Sequence, residues 1–142
     1  METGTPSKPA FGVARRRAVH QVLDRPPVLD DPIAVRLLGS YFEFDPVHEV
    51  SPLARGFRAF MAARSRYAED RLAESIAQGV AQYVVLGAGF DTFAYRNPHA
   101  GLQVFEVDFP ATQAWKRTLL ADAGIAPPPH LRYVGLDFEH KT

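Results

Sequence analysis

Residues Gln82–Asp108 read QYVVLGAGFDTFAYRNPHAGLQVFEVD, and this stretch decides the fold. An apolar run, Tyr83-Val84-Val85-Leu86, breaks at Gly87-Ala88-Gly89. Asp91 and a short helical piece follow, and a second apolar run from Leu102 to Val107 ends in Asp108. Strand, glycine turn, helix, strand and acid, in that order, form the first half of a nucleotide-type binding fold. The glycines let the backbone approach a ligand, because no Cβ intervenes and positive φ costs little. The acid about twenty residues after the turn stands where a ribose presents its hydroxyls.

The turn discriminates between cofactors. A dinucleotide fingerprint asks for a third glycine, so that helix and strand close tightly on a pyrophosphate. In GAGFDT that position is Thr92, and Asp91 adds a negative charge that opposes a phosphate. A ligand with a cationic centre and no phosphate suits it better. S-adenosylmethionine, with a sulfonium, an amino-acid end, a ribose and an adenine, meets that description. The turn therefore favours a methyltransferase over a dehydrogenase. Asp108 can accept charge-assisted hydrogen bonds from both ribose hydroxyls. The same carboxylate would also suit the N-terminus of a helix opening at Pro110, a role worth up to about 1 kcal/mol.

Upstream, Met1 to Pro9 is polar, with two prolines and a glycine, and residues 1–10 read as a disordered leader. A helix is predicted from about Val13 to Leu23, stopped by Pro26-Pro27. Asp31 caps a second short helix with Pro32 in its first position and Gly39 as its stop. Tyr41 to Val50 reads as loop. Ser51 then caps a long helix from Pro52 toward Gln78, ended by Gly79. Leu53, Phe57, Phe60, Met61, Leu72 and Ile76 form its expected buried stripe, with Arg64, Arg66 and Arg71 toward solvent. The Arg15-Arg16-Arg17 run reads as a solvated helix face in preference to a nucleic-acid patch.

Downstream, Pro110 opens a helix that Gly124 closes, with Ala114, Trp115, Thr118 and Leu119 as its apolar face. Pro127-Pro128-Pro129 is a stiff connector. Leu131 to Leu136 is a third strand, ending in Asp137-Phe138. Asp137 has two readings, an acceptor for an adenine amino group with Phe138 packed on the ring, or a plain strand-end turn. Strands alternating with helices predict a parallel α/β sheet with right-handed crossovers.

The 142 residues are 46% hydrophobic and carry sixteen basic and sixteen acidic side chains. That balance gives no general attraction to nucleic acid or to an anionic membrane. With no cysteine, disulfides, thiolate nucleophiles and cysteine-ligated zinc are excluded. The five histidines show no metal-ligand spacing and read as surface or loop residues. No apolar run approaches the ~20 residues of a membrane span, and the N-terminus lacks a signal-peptide core. A cytoplasmic location is the expectation.

Three stretches carry a family resemblance: ARSRYAEDRLAESIAQGVAQYVVLGAGFDTFAYR, then VFEVDFPATQAWK, then LRYVGLDF. In this order and spacing the chain, from about Val13 to Thr142, resembles the leucine carboxyl methyltransferase-like family. It is most similar to the bacterial branch of S-adenosyl-L-methionine-dependent methyltransferases. The resemblance implies a class I (Rossmann-like) fold, a parallel sheet with helices on both faces, preceded by N-terminal helices. On that division residues 11–79 form a helical part and residues 80–142 the first three strands. It also implies that Gly87 contacts the methionine part of the cofactor, Asp108 the ribose, and Asp137 with Phe138 the adenine. Phe138 stands where the family has Leu. Arg64 would grip the cofactor carboxylate, and one of Arg15 to Arg17 matches a further basic contact.

Family members continue with a fourth strand, bearing a glutamate that contacts the cofactor, and with a pocket-shaping insertion. A chain ending at Thr142 thus reads as a truncated or frameshifted product, or as a half-domain that needs a partner. Its first strand would have an open edge, a site for self-association. The implied reaction is in-line transfer of the sulfonium methyl to an unknown acceptor, an oxygen or a carboxylate. The alternatives are an NAD-type oxidoreductase domain and a non-catalytic interaction remnant.

Overall fold

The computed structural model describes residues 7–139. Along the chain come α1 (Lys8–Leu23), α2 (Pro32–Leu38), a 3-10 turn (Gly39–Tyr41), α3 (Pro46–Glu49) and α4 (Pro52–Ala77). Then follow β1 (Gln82–Leu86), α5 (Phe93–Arg96), β2 (Gln103–Asp108), α6 (Pro110–Asp122) and β3 (Leu131–Gly135). The strands are parallel, in the order β1-β2-β3. This is the parallel α/β architecture that the alternation of strands and helices predicts, with helices preceding the sheet.

Three helices start with the same device. Asp31, Asp45 and Ser51 each place a side-chain oxygen on a backbone N–H of the first turn, and a proline follows directly. Proline is favoured there, since its missing N–H would have no partner inside the helix. The Asp45-Pro46 pair makes α3 out of a stretch expected to be loop. At the N-terminus, Ser7 Oγ accepts from the Ala10 N–H at 3.3 Å. Helix α1 therefore begins at Lys8, not Val13, and takes in the last residues of the expected leader; Met1 to Pro6 lie outside the described residues. The early start has a packing reason. Phe11 stacks on Trp115 at 5.1 Å between ring centroids and meets Phe90 edge-on at 5.9 Å, tying α1 to α6.

Helix α4 keeps Leu72 and Ile76 of its expected stripe inward and Arg64, Arg66 and Arg71 exposed, but its first half is turned away from that stripe. Leu53, Phe57 and Phe60 are 79%, 48% and 56% exposed, whereas Arg58, Ala62 and Leu72 are buried. The inward row is Arg58, Ala62, Ser65, Glu69, Leu72 and Ile76, again at helical spacing but with charges in it. Those charges are paired. Arg58 donates to both carboxylate oxygens of Asp24, at 2.8 and 2.9 Å, and to Glu49 at 3.1 Å. Glu69 takes a two-pronged contact from Arg96, at 2.8 and 2.5 Å. The exposed rings lie under guanidinium groups, Phe57 under Arg16, Phe60 under Arg64 and Tyr67 under Arg71. Helix α6 is rotated in a similar way: Lys116 and Thr112 are fully buried, and Ala114 and Thr118 are exposed. His20, expected at the surface, is buried; Asp24 bonds its Nδ1 at 2.7 Å, and Val28 N–H donates to its Nε2 at 3.0 Å.

Leu72, Phe93, Ala94, Leu102, Val104 and Leu131 form one apolar cluster, with Tyr83, Val85 and Tyr133 packed on it. By the period-2 alternation of strands, Tyr83, Val85, Val104, Leu131 and Tyr133 all point to one face of the sheet. Helices α4, α5 and α6 meet the sheet there. Helices on both faces were expected. Because the strand order never reverses, successive right-handed crossovers place α5 and α6 on the same side. On the other face Val84, Leu86 and Val134 are 52%, 70% and 41% exposed. Among the described strands β1 is an edge.

Candidate functional site

The glycine turn leaves the carboxyl end of β1, the edge at which open α/β sheets place their ligands. Gly87 and Gly89 have φ of +63° and +50°, a region that side-chain-bearing residues adopt with strain. A Cβ at Gly87 would meet no atom within 4 Å, so the backbone there is open to a ligand. A Cβ at Gly89 would stand 3.1 Å from the Ala10 Cβ, so α1 packs directly onto the turn. The N–H groups of Gly87 and Ala88 both donate to the Val107 carbonyl, at 2.8 and 3.2 Å, locking the turn to β2.

A cavity of about 320 Å³ opens between this turn, α1 and α4. Gly87, Gly89 and Asp91 form one wall, Arg17 and Ala10 another, and Met61, Arg64 and Glu69 the α4 side. Of the residues singled out in the sequence, Gly87 and Arg64 thus share this cavity. Arg64 is exposed at its rim, its guanidinium 5.6 Å from the Phe60 ring centre. Asp108 is behind the turn. Its Oδ2 accepts from the Gly89 N–H and its Oδ1 from the Phe109 N–H, the latter at 2.6 Å. An ionised carboxylate has about four acceptor positions, and these two bonds occupy two of them. Asp137 and Phe138 follow β3 on the same edge of the sheet, where Leu136 N–H donates to the Asp108 carbonyl at 2.9 Å. They do not line the cavity. Phe138 is 57% exposed.

A buried ionic network supports the cavity floor, and sequence reasoning missed it. Arg17 was read as part of a solvated face, yet its side chain is only 6% exposed. Its guanidinium donates to Asp91 at 2.9 Å, to Asp31 at 2.7 Å and to Thr92 Oγ1 at 3.0 Å. Asp31 is fully buried, accepts from Thr92 Oγ1 at 2.6 Å and caps α2. Burial alone would push the Asp91 carboxyl up. The charges of Arg17 and Lys116 and the Phe93 N–H outweigh that and hold it below the ordinary carboxylate range. Asp91 is therefore a fixed negative charge on the cavity wall. Lys116 and Glu106 form a second buried pair at 2.6 Å, and burial pushes the Glu106 carboxyl up despite the ammonium beside it.

Fold and site together define an α/β protein with a cavity at the glycine turn of a parallel sheet, its wall carrying a carboxylate paired with Arg17. The profile of the leucine carboxyl methyltransferase family matches residues 10–142, and the chain belongs to that family. Over 78 residues, 54% of this chain and 26% of the relative, it is 50% identical to a protein of Bacillus subtilis. A protein of Mycolicibacterium gilvum is 36% identical across 88% of this chain and 46% of its own length. One of Mycolicibacterium smegmatis is 37% identical across 88% of this chain and 45% of its own. Each of the three bears a name that begins "Putative S-adenosyl-L-methionine-dependent methyltransferase". The chain spans about half the length of the Mycolicibacterium relatives or less.

Proposed function

We propose that the cavity beside Gly87–Asp91 binds S-adenosylmethionine and that the chain provides the cofactor side of a methyltransferase acting on an oxygen or carboxylate acceptor. The observation that carries this reading is the Asp91 carboxylate on the cavity wall, paired with Arg17, next to a turn without a third glycine. The walls carry two arginines and two carboxylates, with Arg17 paired to Asp91, so a pyrophosphate finds no surplus of positive charge there and no third glycine to close on it. The volume, about 320 Å³, lies within the range of small-molecule sites.

Bound S-adenosylmethionine supplies a methyl group on a cationic sulfur. The chain's own residues bind and orient it. Asp91 faces the cationic end, Gly87 leaves its backbone open to the methionine part, and Arg64 reaches from the rim to the carboxylate. Asp108 holds the ribose with its two free acceptor positions, and Asp137 with Phe138 borders the adenine. Such catalysis rests mainly on positioning and on exclusion of water. Calorimetry with S-adenosylmethionine and with NAD tests the assignment. Saturable binding of the first and none of the second is expected; no binding of either at millimolar ligand contradicts it.

We further propose that β1 pairs with β1 of a second copy. Its edge, Gln82 to Leu86, carries no charge and no proline, the usual guards against strand addition. Exposed Val84 and Leu86 would extend an apolar face across the join. Size-exclusion chromatography should show a concentration-dependent dimer. A stable monomer at high concentration removes this partner.

A further inference from the structure

Lys116 has a position that the cofactor reading leaves unused. It lies on α6, is fully buried and does not line the cavity. Its ammonium donates to Glu106 Oε2 at 2.6 Å and to the Asp91 main-chain carbonyl at 2.5 Å, and lies 5.5 Å from the centre of the Tyr95 ring. A buried lysine is costly unless paired, and Glu106 supplies the charge that keeps it there. The second bond is the informative one. An ion pair that served α6 and β2 alone would not need to reach the loop of a different strand.

Asp91 is gripped at both ends. Arg17 and the Phe93 N–H hold its carboxylate, at 2.9 and 2.8 Å, and Lys116 holds its carbonyl. Fixing the carbonyl holds the Asp91 main chain, and so the Cα from which the side chain leaves the turn. Resting on the proposed cofactor site, we infer that Lys116 is a positioning residue: through the Asp91 carbonyl it aims the Asp91 carboxylate at the cationic end of the cofactor. Glu106 anchors Lys116 and has no direct part in that aim.

Three variants separate this role from a purely structural one, with S-adenosylmethionine affinity by calorimetry and urea unfolding measured on each. Lys116→Met removes the bond to Asp91. Glu106→Gln keeps that bond and removes the counter-ion. The double variant removes both charges, and replacing a whole buried pair by neutral groups is often tolerated by the fold. Lys116→Met and the double variant are expected to lose affinity about tenfold or more, the scale of a charge-assisted hydrogen bond. Glu106→Gln should stay within about threefold of the parent even where its unfolding midpoint falls. Equal affinity in all variants, or an equal loss in all of them, overturns the positioning role. A parent chain that binds no S-adenosylmethionine overturns the cofactor reading itself, a result distinct from either.

Discussion

Asp108→Ala is expected to weaken S-adenosylmethionine binding by about 1–3 kcal/mol, the cost of removing a charged hydrogen-bond partner. That is roughly fivefold to more than a hundredfold in affinity, well within calorimetric reach. The carboxylate has two duties. Toward the protein it accepts the Gly89 and Phe109 N–H groups, joining the end of β2 to the glycine turn. Toward the ligand it offers its remaining acceptor positions to the ribose. Alanine removes both, so part of the loss would come from a loosened turn. Asp108→Asn separates the contributions: one oxygen remains to hold an N–H, while the charge is gone. An intermediate affinity for Asn is the expected result, and an unchanged affinity for Ala removes Asp108 from the site.

The largest effect on stability is expected from Arg17→Met. Arg17 joins α1 to Asp31 at the cap of α2 and to Asp91 and Thr92 beyond the glycine turn. Methionine keeps much of the volume but leaves the fully buried Asp31 without its nearest charge partner. Removing one member of a buried pair costs about 3–5 kcal/mol, and Arg96 Nε, 3.4 Å from Asp31 Oδ1, offsets part of that loss. That cost is a large share of the 5–15 kcal/mol that typically holds a domain together. Urea unfolding should therefore show a strongly lowered midpoint, and Arg17→Lys, which restores the charge but not the fork, should recover only part of it. A midpoint close to that of the parent would mean that the network contributes nothing beyond its own desolvation cost.

The features legible in the sequence were those whose partners are close along the chain. The apolar run into Gly87, the acid at the end of the second strand and the Asp31-Pro32 and Ser51-Pro52 helix starts are local signals, and the structure forms the corresponding elements. The network was not legible because it is not local. Arg17 and Asp91 are 74 positions apart, and Lys116 and Asp91 are 25 apart. A composition rule that puts arginine outside cannot foresee two carboxylates brought to it by the fold. The same cause turned α4. An apolar stripe through Leu53, Phe57 and Phe60 is the reasonable expectation from hydrophobicity. The row actually buried contains Arg58, whose guanidinium is satisfied by Asp24 and Glu49. One hint was available in the sequence: Arg58, Ala62, Ser65, Glu69, Leu72 and Ile76 keep helical spacing throughout.

The most direct test of the account is a titration of isotope-labelled protein with S-adenosylmethionine, followed through backbone amide resonances. Saturable shifts at Gly87, Gly89, Asp91, Asp108, Asp137 and the α4 residues around Arg64 are the expected result. Saturable shifts centred elsewhere on the molecule, or no shifts at millimolar ligand, would contradict the assignment of the cavity.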